Sequence, residues 1–315
     1  MVILSGTANR DLAASIAREL DVKLGGCEIQ RFPDGEVSVE LTEPVRRKEV
    51  FIIQPTSPPV DKHLIELLAI ADAARRAAAA RITAVIPYFG YGRQDKRRGH
   101  RVPITASMVA ELLEAVGVEH VLSVDLHAPQ IEGFFRIPVD TLSAVPVLYE
   151  AVRPYLPDHA AVVSPDAGRV TMAAQYAAQI NAPVIVLHKR RESATETGVT
   201  HVVGDVRGRS CLIVDDMIST GGTIAESVEA LIDAGANPDV LVAATHGLLL
   251  EGAQEKLSHK AIHRIFVTDT VSTAGKEVPN LEVVSIAPLI AAAVSRFLAD
   301  GSLTELQAAL RKPRS

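Results

Sequence analysis

Residues 212–223 read LIVDDMISTGGT, and side chains of these types in this order can bind a sugar phosphate. Leu-Ile-Val is an apolar run of the kind that forms a buried parallel strand. Asp215 and Asp216 stand at its carboxyl end. Ser219-Thr220-Gly221-Gly222-Thr223 then turn the chain into AESVEALIDAG, whose apolar spacing is helical. The N–H groups of such a loop and of the helix start can hold a phosphate dianion. Its glycines let the backbone approach without a Cβ in the way. Two adjacent carboxylates can bind sugar hydroxyls directly or through Mg²⁺, which prefers oxygen ligands. A capped strand–helix turn with a solvated acidic pair is the bland alternative. The presence of all three parts in order weighs against it.

Other segments carry side chains with chemistry. Arg31-Phe32-Pro33-Asp34-Gly35-Glu36 contains Pro-Asp-Gly, a turn signal in its own right. Pro87-Tyr88-Phe89-Gly90-Tyr91-Gly92-Arg93-Gln94-Asp95-Lys96 follows an apolar run, and cations crowd the stretch from Arg93 to Arg101. A solvated basic loop is the plain reading. In a nucleotide clamp, Arg93 supplies a planar fork for phosphate oxygens or stacks on a base. Gln94 offers donor and acceptor to a base edge. His127, in SVDLH, sits where α/β sites form, although a lone histidine is as readily a polar loop residue. Asp166, in SPDAG, also ends an apolar run. His188-Lys189-Arg190-Arg191 closes PVIVL, and cations at a strand end are usually solvated. Polar, turn-prone SATETG follows, so 189–202 reads as a mobile loop that closes over a site.

The elements that must position these residues alternate along the chain. Candidate strands are 2–5, 50–54, 82–87, 120–124, 161–164, 183–188, 211–214, 240–245, 263–267 and 282–286. Helical patterns cover 9–20, 61–79, 104–116, 143–153, 168–180, 223–234 and 287–299. This alternation predicts an α/β protein with parallel sheets covered by helices. ITAVIPYFGYGRQD and CLIVDDMISTGGT form a loose repeat, each a strand followed by a loaded loop. Residues 146–159 are proline-rich and separate the halves. Two similar domains are expected, 1–145 and 146–315, with the last helix packing back on the first and RKPRS frayed.

Composition narrows the classes. At 315 residues with 48% hydrophobic side chains, the chain can build about two domains with sizeable cores. A formal net charge of −6 and the lack of tryptophan argue against a nucleic-acid binder. Cys27 and Cys211 stand far apart in apolar settings, which suggests no disulfide framework and a reducing cytoplasm. No run has the length of a membrane span, and the N-terminal apolar stretch is too short for a signal peptide.

DDMISTGGT resembles the phosphoribosyl-diphosphate (PRPP) binding motif shared by type I phosphoribosyltransferases and PRPP synthetases. PYFGYGRQDK separates the two, because it resembles a segment of PRPP synthetases that the transferases lack. FPDGE, SVDLH, SPDAG and HKRR also resemble that family, in its order and over essentially the whole chain. The resemblance implies two type I phosphoribosyltransferase-like domains and a ribose-phosphate diphosphokinase serving nucleotide, histidine and tryptophan biosynthesis. In that reaction ATP and ribose 5-phosphate give AMP and PRPP. It further implies that Asp34, Gly35, Glu36, Arg93, Gln94 and Asp95 bind ATP, FPDGE often across a subunit interface. Asp215, Asp216, Ser219, Thr220, Gly221, Gly222 and Thr223 would bind ribose 5-phosphate. His127 and Asp166 would bind Mg²⁺, and Lys189 and Arg191 would contact the transferring group. A dimer-based homo-oligomer, commonly a hexamer, is implied as well. A type I phosphoribosyltransferase and a non-catalytic regulatory homologue remain as alternatives. The chain departs from the family pattern in three places. Arg169 replaces the second of two glycines after Asp166 and would add positive charge near the phosphates. Glu192 and Glu196 replace proline and cations. Ser219 stands where many bacterial relatives have Asp.

Overall fold

The apolar runs become parallel strands in the computed structural model, which describes residues 1–97, 99–190, 199–299 and 301–310 and leaves aside the side chains of 189, 190, 199, 200 and 310. The chain forms two compact units. The first comprises Met1–Ser143, Thr270–Ser272 and Ser285–Leu306; the second comprises Ala144–Asp269, Thr273–Val284 and the residues from Gln307.

The first unit opens with β1 (Val2–Ser5) and α1 (Arg10–Glu19). Asn9 caps α1 by accepting from the Leu12 N–H at 3.2 Å, while Leu12, Ala13, Ile16 and Ala17 turn one buried face inward. Next come β2 (Cys27–Arg31), β3 (Val37–Leu41), β4 (Glu49–Ile53), α2 (Val60–Arg76), β5 (Arg81–Ile86), α3 (Thr105–Ala115), β6 (His120–Val124) and β7 (Val139–Leu142). Five strands make a parallel sheet in the order β1-β4-β5-β6-β7. Its central strands β4, β5 and β6 are mainly apolar and buried almost throughout because helices cover both faces. Strands β2 and β3 form a separate antiparallel hairpin.

The second unit begins with α4 (Val145–Val152), in the stretch expected to separate the halves. Pro146 sits in the first turn of that helix, where its missing N–H costs nothing, and Leu148, Tyr149 and Val152 are buried. There follow β8 (Ala161–Ser164), α5 (Val170–Ile180), β9 (Val184–Arg190), β10 (Val199–Val203), β11 (Cys211–Ile218), α6 (Gly222–Asp233), β12 (Val240–Gly247), α7 (Ala253–Leu257), β13 (Ile262–Thr268) and β14 (Leu281–Val284). The sheet order is β10-β9-β8-β11-β12-β13-β14, with all neighbours parallel except β10 and β9. From β8 the chain moves outward to β9 and then returns to lay β11 on the other side of β8. The carboxyl ends of β8 and β11 therefore flank a topological switch point, where open α/β sheets form their binding crevices. Helix α8 (Ala287–Leu298) packs against α1 in the first unit, and α9 (Leu303–Leu310) ends the described chain.

The structure extends the expected elements at several places. Strands β2, β3, β7 and β10 and helices α7 and α9 were not anticipated. The loop expected over 189–202 is shorter, because 189–190 continue β9 and 199–203 pair with it as β10. Residues 191–198, including Arg191, lie outside the described residues, as does the tail RKPRS. No helix among the described residues is long and apolar enough to cross a membrane.

Candidate active site

In the second unit the switch point collects the acidic residues. Asp166 is exposed just beyond β8, and its Oδ1 accepts from the N–H groups of Gly168 at 2.7 Å and Arg169 at 3.1 Å. Ser164 Oγ donates to the Asp166 carbonyl at 2.6 Å and closes the turn. Asp215 and Asp216 lie within β11, near its end. Arg169 was expected beside phosphates. Its Nε lies 3.3 Å from Asp215 Oδ1 and 3.1 Å from Asp216 Oδ1. Burial pushes the Asp215 carboxyl well above the usual range, and the neighbouring Asp216 charge adds to that; Arg169 pulls the other way.

Beyond β11, Ser219–Gly221 lead directly into α6. Gly221 caps that helix at φ +76°, a left-handed conformation that favours glycine. A Cβ there would sit 3.1 Å from Leu257 Cγ, so α7 closes one side of the loop. A Cβ on Gly222 would lie 3.8 Å from Lys256 Nζ, which places an ammonium beside the helix start. Unpaired N–H groups, the positive end of a helix and a nearby cation suit a phosphate.

In the first unit the loop after β5 is held from below. The Thr56 hydroxyl accepts from the Gly90 N–H at 2.6 Å and donates to the Tyr88 carbonyl at 3.2 Å. Gly90 has no room for a side chain, since a Cβ would fall 2.4 Å from the Thr56 carbonyl oxygen. Tyr91, at φ +63°, and Asp125, at φ +37°, are non-glycine residues in a rarely occupied region; strain of this kind concentrates at functional loops. Arg93 and Gln94 are exposed, with Gln94 Oε1 accepting from Thr105 Oγ1 at 2.6 Å. Asp95 differs from them: it is buried and accepts from Gln130 Nε2, so it anchors the loop. His127 is half-buried after β6. Its Cβ lies 3.4 Å from the place a Cβ would take on Gly92, so the histidine adjoins the same loop.

Asp34, Gly35 and Glu36 form the exposed tip of the β2–β3 hairpin. Asp34 Oδ1 accepts from the Glu36 N–H at 3.1 Å, and Gly35 takes φ +94°. Among the described residues no hydrogen bond or ion pair joins this tip to Arg93 or Gln94. Lys189 lies on β9 opposite Thr200 of β10.

Among the described residues no three His, Cys, Asp or Glu side chains converge as a metal cage. Single donors such as the exposed Asp166 carboxylate and the His127 ring fit an ion carried mainly by phosphate and water oxygens, which is how Mg²⁺ is usually bound. Sequence reasoning missed Glu66 and Lys256. Glu66 could be flagged as an acid on the apolar face of α2; Lys256 sits in a five-residue helix too short for any periodic signal.

Two mostly parallel sheets, one with an acidic pair and a glycine loop at its switch point, define the class of type I phosphoribosyltransferase-like α/β proteins. A family model described as the N-terminal domain of ribose phosphate pyrophosphokinase matches residues 1–117, and another described as the phosphoribosyl synthetase-associated domain matches 190–308. The ribose-phosphate pyrophosphokinases of Chromobacterium violaceum and Brucella melitensis are 45% and 44% identical to it over 309 residues, covering 97% of this chain and 94% and 99% of theirs. The crystal structure of phosphoribosylpyrophosphate synthetase from Mycobacterium smegmatis superposes with a TM-score of 0.90 at 40% identity, covering 95% of this chain and 99% of that one. The chain belongs to the ribose-phosphate pyrophosphokinase family.

Proposed function

We propose that this protein transfers the diphosphoryl group of ATP to the 1-hydroxyl of ribose 5-phosphate, giving PRPP and AMP. The observation that carries this reading is the switch point of the second unit, where an acidic pair and a glycine loop at a helix start stand at the end of one strand. Ser219, Thr220, Gly221, Gly222 and Thr223 hold the 5-phosphate, and Asp215 and Asp216 accept from the ribose hydroxyls. Arg93 and Gln94, with the hairpin tip Asp34–Glu36, hold the nucleotide, while buried Asp95 fixes the Arg93 loop from behind.

The anomeric oxygen attacks the β-phosphorus. The bond from that phosphorus to the α–β bridging oxygen breaks, AMP leaves with the electron pair, and the hydroxyl proton is released. Such a transfer depends on positioning and charge neutralisation more than on covalent catalysis. Lys189 and Arg191 are the cations assigned to the transferring group, where negative charge grows on the bridging and equatorial oxygens. Mg²⁺, when bound, neutralises triphosphate charge; His127 and Asp166 are the side chains offered to such ions. Self-association into a dimer-based homo-oligomer follows from the same family reading, and sedimentation of the purified protein tests it.

A coupled assay with ATP, Mg²⁺ and ribose 5-phosphate, following AMP and PRPP together, tests the reaction. Equal amounts of both products are expected. ADP in place of AMP would mean transfer of a single phosphoryl group. Pyrophosphate release from PRPP with a free base would favour a phosphoribosyltransferase. ATP binding without turnover would favour a regulatory homologue.

A further inference from the structure

Arg169 has no part in the reaction as described so far, yet both its backbone and its side chain are anchored in the second unit's site. Its backbone N–H donates to Asp166 Oδ1 at 3.1 Å, so the turn after β8 fixes where the side chain starts. From there it crosses the switch point to β11 and reaches both acids, at 3.3 and 3.1 Å. The three side chains are nearly buried, at 14%, 12% and 3% exposure for Arg169, Asp215 and Asp216. Asp215 Oδ1 also accepts from the Asp216 N–H at 2.8 Å, which pins its rotation. Two neighbouring carboxylates with so little water repel each other, and a shared guanidinium offsets that repulsion.

We infer that Arg169 is a positioning residue that holds Asp215 and Asp216 as one rigid acceptor pair for the vicinal hydroxyls of the pentose, and so sets affinity and selectivity for the sugar phosphate. The inference rests on the reading of 215–223 as the ribose 5-phosphate site. Both contacts come from one Nε, and the rigid guanidinium plane holds that atom in a fixed direction, which a freely rotating ammonium does not.

Calorimetry of ribose 5-phosphate binding, with steady-state kinetics beside it, tests the inference. Arg169→Ala is expected to weaken ribose 5-phosphate by roughly tenfold to a hundredfold, as loss of charge-assisted hydrogen bonds would, and to change the KM for ATP by less than about twofold. The wild-type preference for ribose 5-phosphate over 2-deoxyribose 5-phosphate should shrink, since the deoxy sugar lacks one of the paired hydroxyls. Arg169→Lys should recover part of the affinity. If Arg169→Ala does not fold, the double variant Arg169→Ala/Asp216→Asn, which removes a carboxylate charge with the guanidinium, carries the test. It should bind no more weakly than Asp216→Asn alone. Wild-type affinity and selectivity in Arg169→Ala, or additive losses in the double variant, overturn the inference. Wild-type protein that binds ribose 5-phosphate but makes no PRPP sinks the proposed reaction and leaves the calorimetric comparison valid. Wild-type protein that does not bind the sugar phosphate overturns both.

Discussion

Arg31 Nη2 donates to Glu66 Oε1 at 2.8 Å, an ion pair that ties the exposed β2–β3 hairpin to the buried face of α2. The other Glu66 oxygen accepts from the Thr7 N–H at 3.1 Å, the Thr7 hydroxyl at 2.6 Å and Gln54 Nε2 at 3.1 Å. One carboxylate thus joins the loop after β1, the end of β4, helix α2 and the hairpin that carries Asp34–Glu36. Glu66→Ala would take the acceptor from exposed Thr7 and Arg31 and from buried Gln54 Nε2, which keeps its bond to the His63 carbonyl, at a cost of about 1–3 kcal/mol. Freed from α2, the hairpin should also hold nucleotide less well. The expected result is a lower urea midpoint and a raised KM for ATP, with ribose 5-phosphate affinity kept. Unchanged stability would show that water satisfies these donors instead.

The same carboxylate makes stability depend on pH in a defined direction. Burial alone would raise the Glu66 pKa, but hydrogen bonds from Thr7 and Arg31, aided by the charge of His63, outweigh it and leave it below the ordinary value. A group with a depressed folded-state pKa contributes stability above its unfolded value, about 4.3 for glutamate, and loses it as pH falls through the folded value. Wild-type protein should therefore lose its stability advantage over Glu66→Gln as pH drops from about 5 through the folded value. Urea midpoints of both proteins across that range measure it. A constant gap between the two would refute the assignment.

The legible parts of the fold are those whose pattern is local. The stretch Val50–Ile53 is buried on both faces, so it must be an apolar run, and it reads as a strand without help from its neighbours. CEIQR and VSVEL are half-exposed and mix charge with apolar residues, so only their pairing across the PDG turn makes them strands. The strand β10 is defined by its pairing with β9, which no single-segment pattern reveals. For the site, spacing picks out 215–223 as strand, acids and loop because those parts are contiguous. The partners that position them are not. Arg169 reaches Asp216 through the sheet order, and Thr7 meets Glu66 across 59 residues of sequence, so neither contact leaves a local trace.

The thiols give a check that is independent of activity. Burial pushes Cys27 and Cys211 up to about 11; the Arg10 charge opposes this at Cys27, and the Arg209 charge opposes it at Cys211. At pH 8 only about one thiol in a thousand would be thiolate, the reactive form. Folded protein should therefore resist iodoacetamide at pH 8 and keep its activity, and both cysteines should label once guanidinium unfolds it. Rapid labelling of either thiol in the folded state would mean that local opening exposes it.

Lys256 offers a test of where the 5-phosphate sits. Its ammonium lies 3.8 Å from the position of a Cβ on Gly222, beside the first turn of α6, and its side chain is otherwise exposed. A dianion on that helix start would meet the helix dipole and this cation together. Lys256→Ala should raise the KM for ribose 5-phosphate about three- to tenfold at low salt, and less at high salt, because an exposed charge is screened. Values of kcat and of the KM for ATP should stay unchanged, and Lys256→Glu should do more harm than Ala. Gly221→Ala acts through geometry instead. Its φ of +76° strains any side chain, and the new Cβ would press on Leu257 at 3.1 Å, so a stability loss of about 1–2 kcal/mol should accompany the weaker binding. The two variants therefore separate charge from shape. Salt should erase the Lys256→Ala defect and leave that of Gly221→Ala, whereas equal salt responses would place the phosphate away from this helix start.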